Sequence, residues 1–382
     1  MLSAAIGSSM AAYKTLGLLF DPAYPIAALT CLYIATTVFR YFQTETERTR
    51  VRDTFGRYLT DDVVARLLES PAGTQIGGEK SKVTMMMTDL RGFTSLSERV
   101  EPEQVVSMLN NYLGAMIQII EQYRGTIDEF IGDAIFVLFG APIRKEDDAQ
   151  RAVACAVAMQ LAMVEVNKYN LENGLPELEM GIGIHTGQVV VGNIGSAKRM
   201  KYGVIGGHVN LTSRIQSFTT GGQILISQAT REEVDTIFIA GRRMELKAKG
   251  VEQLVAVFEV LGIDGKYNLQ LPKTDDALTV LRAPVPLSYS MVEGASLAWE
   301  TQEGRVTKLS LKEAEARLEA PVPLLTNLQM RLINSDGGEV PGVVYGKVIE
   351  VIPGSGLDVR IRFTSMPPSI TTFLRGLLAK TA

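Results

Sequence analysis

A chain of 382 residues, 46% hydrophobic and 21% charged, is long enough for two or three globular domains and too rich in apolar residues to be disordered. Its net charge of −4 and pI near 5.5 exclude the basic footprint of a nucleic-acid binder. Two cysteines, Cys31 and Cys155, and two histidines, His185 and His208, leave no material for a disulfide framework or a zinc site.

The apolar surplus sits in residues 1–42. From Ala23 to Phe42 the only charge is Arg40, close to the ~20 apolar residues that a bilayer-spanning helix needs. Asp21-Pro22 parts this run from an earlier one, Leu2 to Phe20, whose only charge is Lys14. Nothing frames a single short apolar core as a signal peptide. The reading is two membrane helices, or one plus an interfacial segment, with a buried core hairpin as the alternative. Arg40, Arg48, Arg50, Arg52 and Arg57 come next and place the rest of the chain in the cytoplasm, on an inner-membrane anchor.

Residues 43–75 form a charged helical connector. Val51, Phe55, Tyr58 and Leu59 share a helical face that suits a second copy in a parallel pair; a solvated linker is the alternative. Thr60-Asp61-Asp62 starts a helix that Ser70-Pro71-Ala72-Gly73 ends.

The stretch Val83–Gly140 organises the central part of the chain. Val83–Thr88 is an apolar run that predicts a buried strand, and Asp89 stands at its end. Gly92 lets the backbone turn closely around a bound group, and Thr94 or Ser95 can cap a helix beginning there. Thr126–Ile131 and Ala134–Phe139 join through Gly132-Asp133 as a tight hairpin. If the two strand ends are neighbours, Asp89 and Asp133 make a hard oxygen site for Mg²⁺ that leaves positions for substrate phosphates. The chain then reads as helix Gln104–Tyr123, the hairpin, helix Asp147–Asn173, strands Leu178–His185 and Gln188–Val191, a mobile segment after Gly192, a helix from near Val209, and strands Gln223–Ser227, Met244–Leu246 and Val255–Val260. That alternation predicts an α+β sandwich of ferredoxin-like order. His185 reads as structural, and His208 carries no assigned chemistry.

From about Phe55 to Leu261 the chain resembles the catalytic domain of the class III nucleotidyl cyclases, the adenylyl and guanylyl cyclases. Met87–Thr94, Asp128–Ala134, the signature Tyr202–Arg214 and Lys249-Gly250 carry the resemblance. It implies a domain at 76–262 that cyclises ATP or GTP to the 3′,5′-cyclic nucleotide and pyrophosphate. Two Mg²⁺ or Mn²⁺ ions per site would be held by Asp89, Asp133 and the Leu90 backbone. Leu90, Gly92 and Phe93 would cradle the triphosphate with Lys249, Lys247 being its nearby rival. Asn210 would orient the ribose, and Arg214 would stabilise charge at the α-phosphate. Because family sites are shared across two protomers, a single copy implies a homodimer. An inactive cyclase-fold scaffold is the rival from another class.

Glu129 and Gly203 occupy the family's base-reading positions. A carboxylate complements guanine N1–H and its amino group, while adenine N1 is itself an acceptor. An unpaired buried group costs about 1–3 kcal/mol, so Glu129 favours GTP, with an enzyme strictly using ATP as the alternative. Gly203 adds no side-chain contact.

Residues 263–279 read as a linker and 280–382 as a small β-barrel closed by a helix at Thr371–Leu378. Its strand order resembles, more loosely, a PilZ domain. Where that family has an arginine pair this chain has Arg282 and Pro286, and its second motif falls on Lys308, Ser310 and Glu313. Cyclic di-GMP is therefore not the expected ligand; a dimerisation or partner-binding barrel is.

Overall fold

The computed structural model describes helix α1 (Ala27–Phe39) with a few residues before it, and residues 76–379 apart from 197–198, 247–253, 273–276, 294–295, 298–300, 335 and 355. The chain divides into two compact units, Met1–Gly73 and Thr74–Ala382. In the first, α1 is apolar and largely exposed; the other expected membrane residues from 18 to 42 and the whole 43–75 connector lie outside the described residues. One described helix, Asp148–Glu172, is long and apolar enough to cross a membrane, but 67% of its apolar window is buried within the second unit, as befits a core helix.

The second unit is built on a mixed sheet. Its strands are β1 (Gly77–Leu90), β2 (Thr126–Ile131), β3 (Ala134–Phe139), β4 (Met180–Ser196), β5 (Arg199–Ile205), β6 (Ile224–Ser227), β7 (Phe238–Leu246), β8 (Val255–Ile263) and β9 (Leu269–Gln270). They run in the order β2-β3-β1-β4-β6-β8-β7, with β5 on β4 and β9 on β8. Among the described residues only β4 and β6 pair in parallel. Helices α2 (Phe93–Ser97), α3 (Pro102–Gln122), α4 (Asp148–Glu172), α5 (Gly207–Ser217) and α6 (Gln228–Val234) complete it.

One face of the sheet is covered by α3 and α4. Met108, Tyr112, Met116 and Ile120 recur every four residues on α3 and all face that core. On the other face Val83, Met85, Phe136 and Val189 form a second cluster, joined by Tyr202 and Val204 of β5. Strand β1 is thus covered on both sides, which is why every residue from Val83 to Met87 is buried instead of every second one.

The second half of the sheet corrects the expected layout. The two strands expected at Leu178–His185 and Gln188–Val191 are one strand, β4, which pairs with β1 from Gly77↔Asn193 to Leu90↔Met180 without a break. Gly187, between the two expected strands, is needed for packing: a Cβ there would lie 2.5 Å from the His208 ring. The segment after Gly192, expected to be mobile, is the β4–β5 hairpin, running from Val190↔Ile205 to Ser196↔Arg199. Nor does Thr94 or Ser95 cap the helix after Gly92. Helix α2 begins at Phe93, and its N-cap is Gly92 itself, at φ +67°, without a side-chain bond.

The C-terminal barrel comprises β10 (Thr279–Glu293), β11 (Ser296–Leu297), β12 (Gln302–Leu309), β13 (Glu313–Leu318), β14 (Asn327–Leu332), β15 (Val344–Val351) and β16 (Asp358–Ser365), then helix α7 (Pro368–Ala379). The order is β11-β10-β12-β13-β16-β15-β14, and a further β10–β14 pairing closes six of these strands into a barrel. Inward residues such as Leu287, Tyr289, Val306, Met330 and Ile361 fill it, and α7 seats Ile370 and Leu374 against that core. Strand β13 has no counterpart in the sequence reading, because Glu-Ala-Glu-Ala-Arg-Leu is a helix-favouring composition. What makes it a strand is alternation: Ala314, Ala316 and Leu318 turn inward, while Glu313 and Glu315 meet Arg362 and Arg360 on β16. Ser310 accepts from the backbone N–H of Lys312 and Glu313 in the β12–β13 turn. Lys308 pairs with Glu315 at 2.6 Å, and Arg282 is exposed.

Candidate active site

The site is assembled by the β1–β3 register. Those strands pair Met87↔Phe136, so continuing the ladder sets Asp89 opposite Ala134, one residue from Asp133. Gly132, at φ +65°, makes the tight turn that swings Asp133 back over the end of β1. There the Asp133 carboxylate accepts a hydrogen bond from the Leu90 N–H at 2.9 Å. Thr88 locks this end of the sheet from beneath: its hydroxyl accepts from Ile135 N–H at 3.2 Å and meets the buried Tyr112 hydroxyl at 3.2 Å.

The two carboxylates feel each other. Burial pushes the Asp89 carboxyl up to about 6, Arg91 pulls it back, and the neighbouring Asp133 charge pushes it up again. The Arg91 guanidinium lies 3.5 Å from Asp89 and donates to the Gln216 carbonyl at 3.3 Å and the Thr219 hydroxyl at 3.1 Å. Its Nε is buried without a partner. A pair of half-buried carboxylates with one of them held toward its protonated form is a donor set that a divalent cation would satisfy. Among the described residues no third Asp, Glu, His or Cys joins them, so further oxygen ligands have to come from backbone, water or substrate. Sequence reasoning singles out neither Arg91 nor Tyr112. Arg91 lies inside the Met87–Thr94 motif and could have been found there; Tyr112 could not, because only the fold brings it under Thr88.

Asn210 and Arg214 lie four apart on α5, on the side away from Thr212, Ile215 and Gln216, which are buried. Asn210 is exposed and Arg214 half-buried, and among the described residues neither pairs with Asp89 or Asp133 of the same chain. Lys249 and Lys247 lie outside the described residues. His185 and His208 stack at the start of α5, 2.7 Å from Nε2 to Nδ1, with His185 Nδ1 2.8 Å from the Ser227 hydroxyl. Burial holds His185 down to about 4, so it is neutral and structural.

Glu129 and Gly203 are brought into one corner by β2 and β5, in a way the sequence does not announce. A bulge falls between Ile127 and Glu129, and Lys201 reaches across to both Asp128, at 2.6 Å, and Glu129, at 2.8 Å. Gly203 is not mere empty space, because a Cβ on it would lie 2.7 Å from Asp128 Oδ1.

Comparison with known proteins bears on this arrangement directly. Residues 77–259 match the family model of the adenylate and guanylate cyclase catalytic domain. The crystal structure of the guanylyl cyclase Cya2 is 54% identical over 52% of this chain and all of its own, with a TM-score of 0.51. The chain belongs to the class III adenylate and guanylate cyclase family. Among curated relatives, Adenylate cyclase 1 of Rhizobium meliloti is 32% identical over 57% of this chain, and the Adenylate cyclase of Anabaena cylindrica 33% over 54%. The chain spans 34% and 43% of the length of these two relatives, so the likeness is one of cyclase domains. The matched region ends at Glu259 and leaves the C-terminal barrel outside it.

Proposed function

We propose that this chain is a homodimeric nucleotidyl cyclase that converts a purine nucleoside triphosphate to its 3′,5′-cyclic monophosphate and pyrophosphate. The observation that carries the reading is the Asp89–Asp133 pair, closed over the end of β1 by the Leu90 N–H, inside a domain of this family. In the reaction the 3′-oxygen forms a bond to the α-phosphorus, the bond to the β-phosphate oxygen breaks, and the 3′-proton is lost. Most of the acceleration of such a transfer is positioning and charge stabilisation. Asp89, Asp133 and the Leu90 carbonyl would hold Mg²⁺ or Mn²⁺, two per site. Bound there, the metal supplies Lewis acidity toward the 3′-oxygen and neutralises phosphate charge.

The chain's own groups do the rest. The backbone from Leu90 to Phe93, turned by the left-handed Gly92 into α2, lies along the triphosphate, with Lys249 as its counter-charge. Arg214 offers planar donors to charge growing on the α-phosphate, and Asn210 fixes the ribose. That both stand on the outer side of α5, unpaired among the described residues with Asp89 or Asp133 of their own chain, supports a cleft shared between two copies. Glu129 accepts from the guanine edge, which favours GTP, as does the likeness to Cya2. A second reading, ATP, has Lys201 on its side, because that ammonium already occupies the Glu129 carboxylate. Anchoring of residues 1–42 in the inner membrane, with both folded domains on the cytoplasmic side, completes the proposal.

The test is to incubate the purified chain with ATP or GTP and Mg²⁺ or Mn²⁺ and identify the product. A cyclic purine nucleotide, cGMP before cAMP, is expected. If neither cGMP nor cAMP forms from homodimeric protein with either metal, the reading is refuted.

A further inference from the structure

Outside the cyclase site, the most unusual buried charge is Lys347 on β15 of the barrel, 2% exposed. Among the described residues it pairs with no carboxylate of its own domain. Its ammonium leaves the barrel and donates to the carbonyls of Ser217, at 2.7 Å, and Thr219, at 3.1 Å. Ser217 is the last residue of α5, the helix that carries Asn210 and Arg214. A cation on the free carbonyls of a helix C-terminus satisfies them and complements the helix dipole.

From there the contacts run on to the carboxylates. The Thr219 hydroxyl that Arg91 holds belongs to the same turn, and Arg91 lies 3.5 Å from Asp89. Burial pushes the Lys347 amine down to about 7, the Arg91 charge pushes it the same way, and Asp89 opposes them, so the three groups sit within each other's field. Two further contacts tie the barrel to this end of the sheet. Leu325 packs into a cluster with Ile215, Leu225, Leu246 and Val257. Ser365 and the Thr364 carbonyl, at the end of β16, lie so close to Gly92 that a Cβ there would be 3.0–3.1 Å from them.

We propose that the C-terminal barrel is a built-in support of the catalytic centre, with Lys347 as a positioning residue that sets the end of α5 and, through Thr219 and Arg91, the Asp89 carboxylate. The inference rests on the cyclase reading of that site. Lys347 touches no reacting atom; it fixes the helix on which Asn210 and Arg214 ride. A small displacement of such groups costs rate more than substrate binding.

The experiment compares the full-length chain with Lys347→Met, which keeps most of the apolar stem and removes the donor, and with Leu325→Ala, which loosens the same interface elsewhere. Hydrogen exchange of residues 207–220 and steady-state kinetics with the better triphosphate are read together. Lys347→Met is expected to speed exchange in 207–220 while leaving the β1 and β4 core protected, and to lower kcat about tenfold with KM changed less than about twofold. Leu325→Ala should move both readouts in the same direction by less. Unchanged exchange in 207–220 would show that the barrel does not hold α5, and faster exchange with unchanged kcat would show that the hold does not reach catalysis. If the wild-type chain makes no cyclic nucleotide, the cyclase reading fails, yet the exchange data still decide whether Lys347 grips α5.

Discussion

Two carboxylates, one in each domain of the second unit, are treated in opposite ways by their surroundings. Asp89 in the cyclase domain is half-buried beside another carboxylate, with one cation at 3.5 Å, and is pushed up to about 6. Glu315 in the barrel is also costly to bury, but Lys308 at 2.6 Å and Arg360 at 3.2 Å more than offset this and hold it below the usual carboxylate range. Glu313 and Glu315 are completed across the barrel's strands by Arg362, Lys308 and Arg360, whereas the Asp89–Asp133 pair is left wanting a cation. That contrast separates a surface built for stability from one built to bind.

The largest effect that probes the contrast comes from removing the wanting carboxylates. Asp89→Ala or Asp133→Ala should lower turnover by more than about a hundredfold while circular dichroism and cooperative unfolding persist. Retention of more than a tenth of the wild-type rate in either variant would end the assignment of this pair to the metal. Next is the base corner. Glu129→Lys should shift the GTP/ATP ratio of kcat/KM toward ATP by roughly 30-fold or more, one polar contact being gained and one lost. Lys201, freed from Glu129, still has Asp128 as its partner. An unchanged ratio would mean that Lys201 neutralises Glu129 and that base choice lies elsewhere. Adding Gly203→Asp is not a simple gain of a base contact, since the new side chain would start 2.7 Å from Asp128 Oδ1.

A smaller recovery tests the shared cleft. Mixing Asp133→Ala with Arg214→Ala chains should restore up to about a quarter of wild-type activity, because half of random dimers are mixed and each has one intact cleft. Heterodimers that form without activity would place both groups in one protomer's site.

How far the sequence can be read depends on how local each feature is. The β2–β3 hairpin and the two strand ends that carry Asp89 and Asp133 follow from turn chemistry and an apolar run, which neighbouring residues determine; that the two carboxylates meet depends on the β1–β3 register, which is non-local. Strand β4 reads as two in the sequence because Gly187 looks like punctuation, while its real constraint is His208, a residue 21 positions on. Strand β13 escapes the sequence because its Glu and Arg side chains become strand-like only once β16 faces them. Lys201 and Lys347 are illegible as site residues for the same reason. A lysine reads as a solvated surface charge until the fold shows which carbonyl or carboxylate it meets. Local chemistry names the site, and non-local contacts decide how it is held.

The smallest effects are changes of stability with pH, and there the two domains should differ in sign. For Asp89 the folded state holds the proton more tightly than the unfolded chain, so without metal its contribution falls as pH rises from about 4 to 6 and stays low above. Asp89→Asn should therefore stabilise the metal-free protein at pH 7.5, and added Mn²⁺ should raise the unfolding temperature of wild type but not of the variant. For Glu315 the folded carboxyl is the stronger acid, so its contribution is present at neutral pH and is lost as pH falls through its depressed folded value. Glu315→Gln removes the charge that Lys308 and Arg360 share and leaves the Arg360 guanidinium, only partly exposed, with Glu350 at 3.3 Å as its remaining acid. With that second partner in place the cost should be about 1–2 kcal/mol at pH 7.5 and smaller at pH 3, below the ordinary carboxylate range, and turnover at permissive temperature should stay at the wild-type level. Urea titrations at the two pH values measure it. An equal cost at both would mean that the pair contributes packing and no charge, and the electrostatic contrast between the two domains would then rest on Asp89 alone.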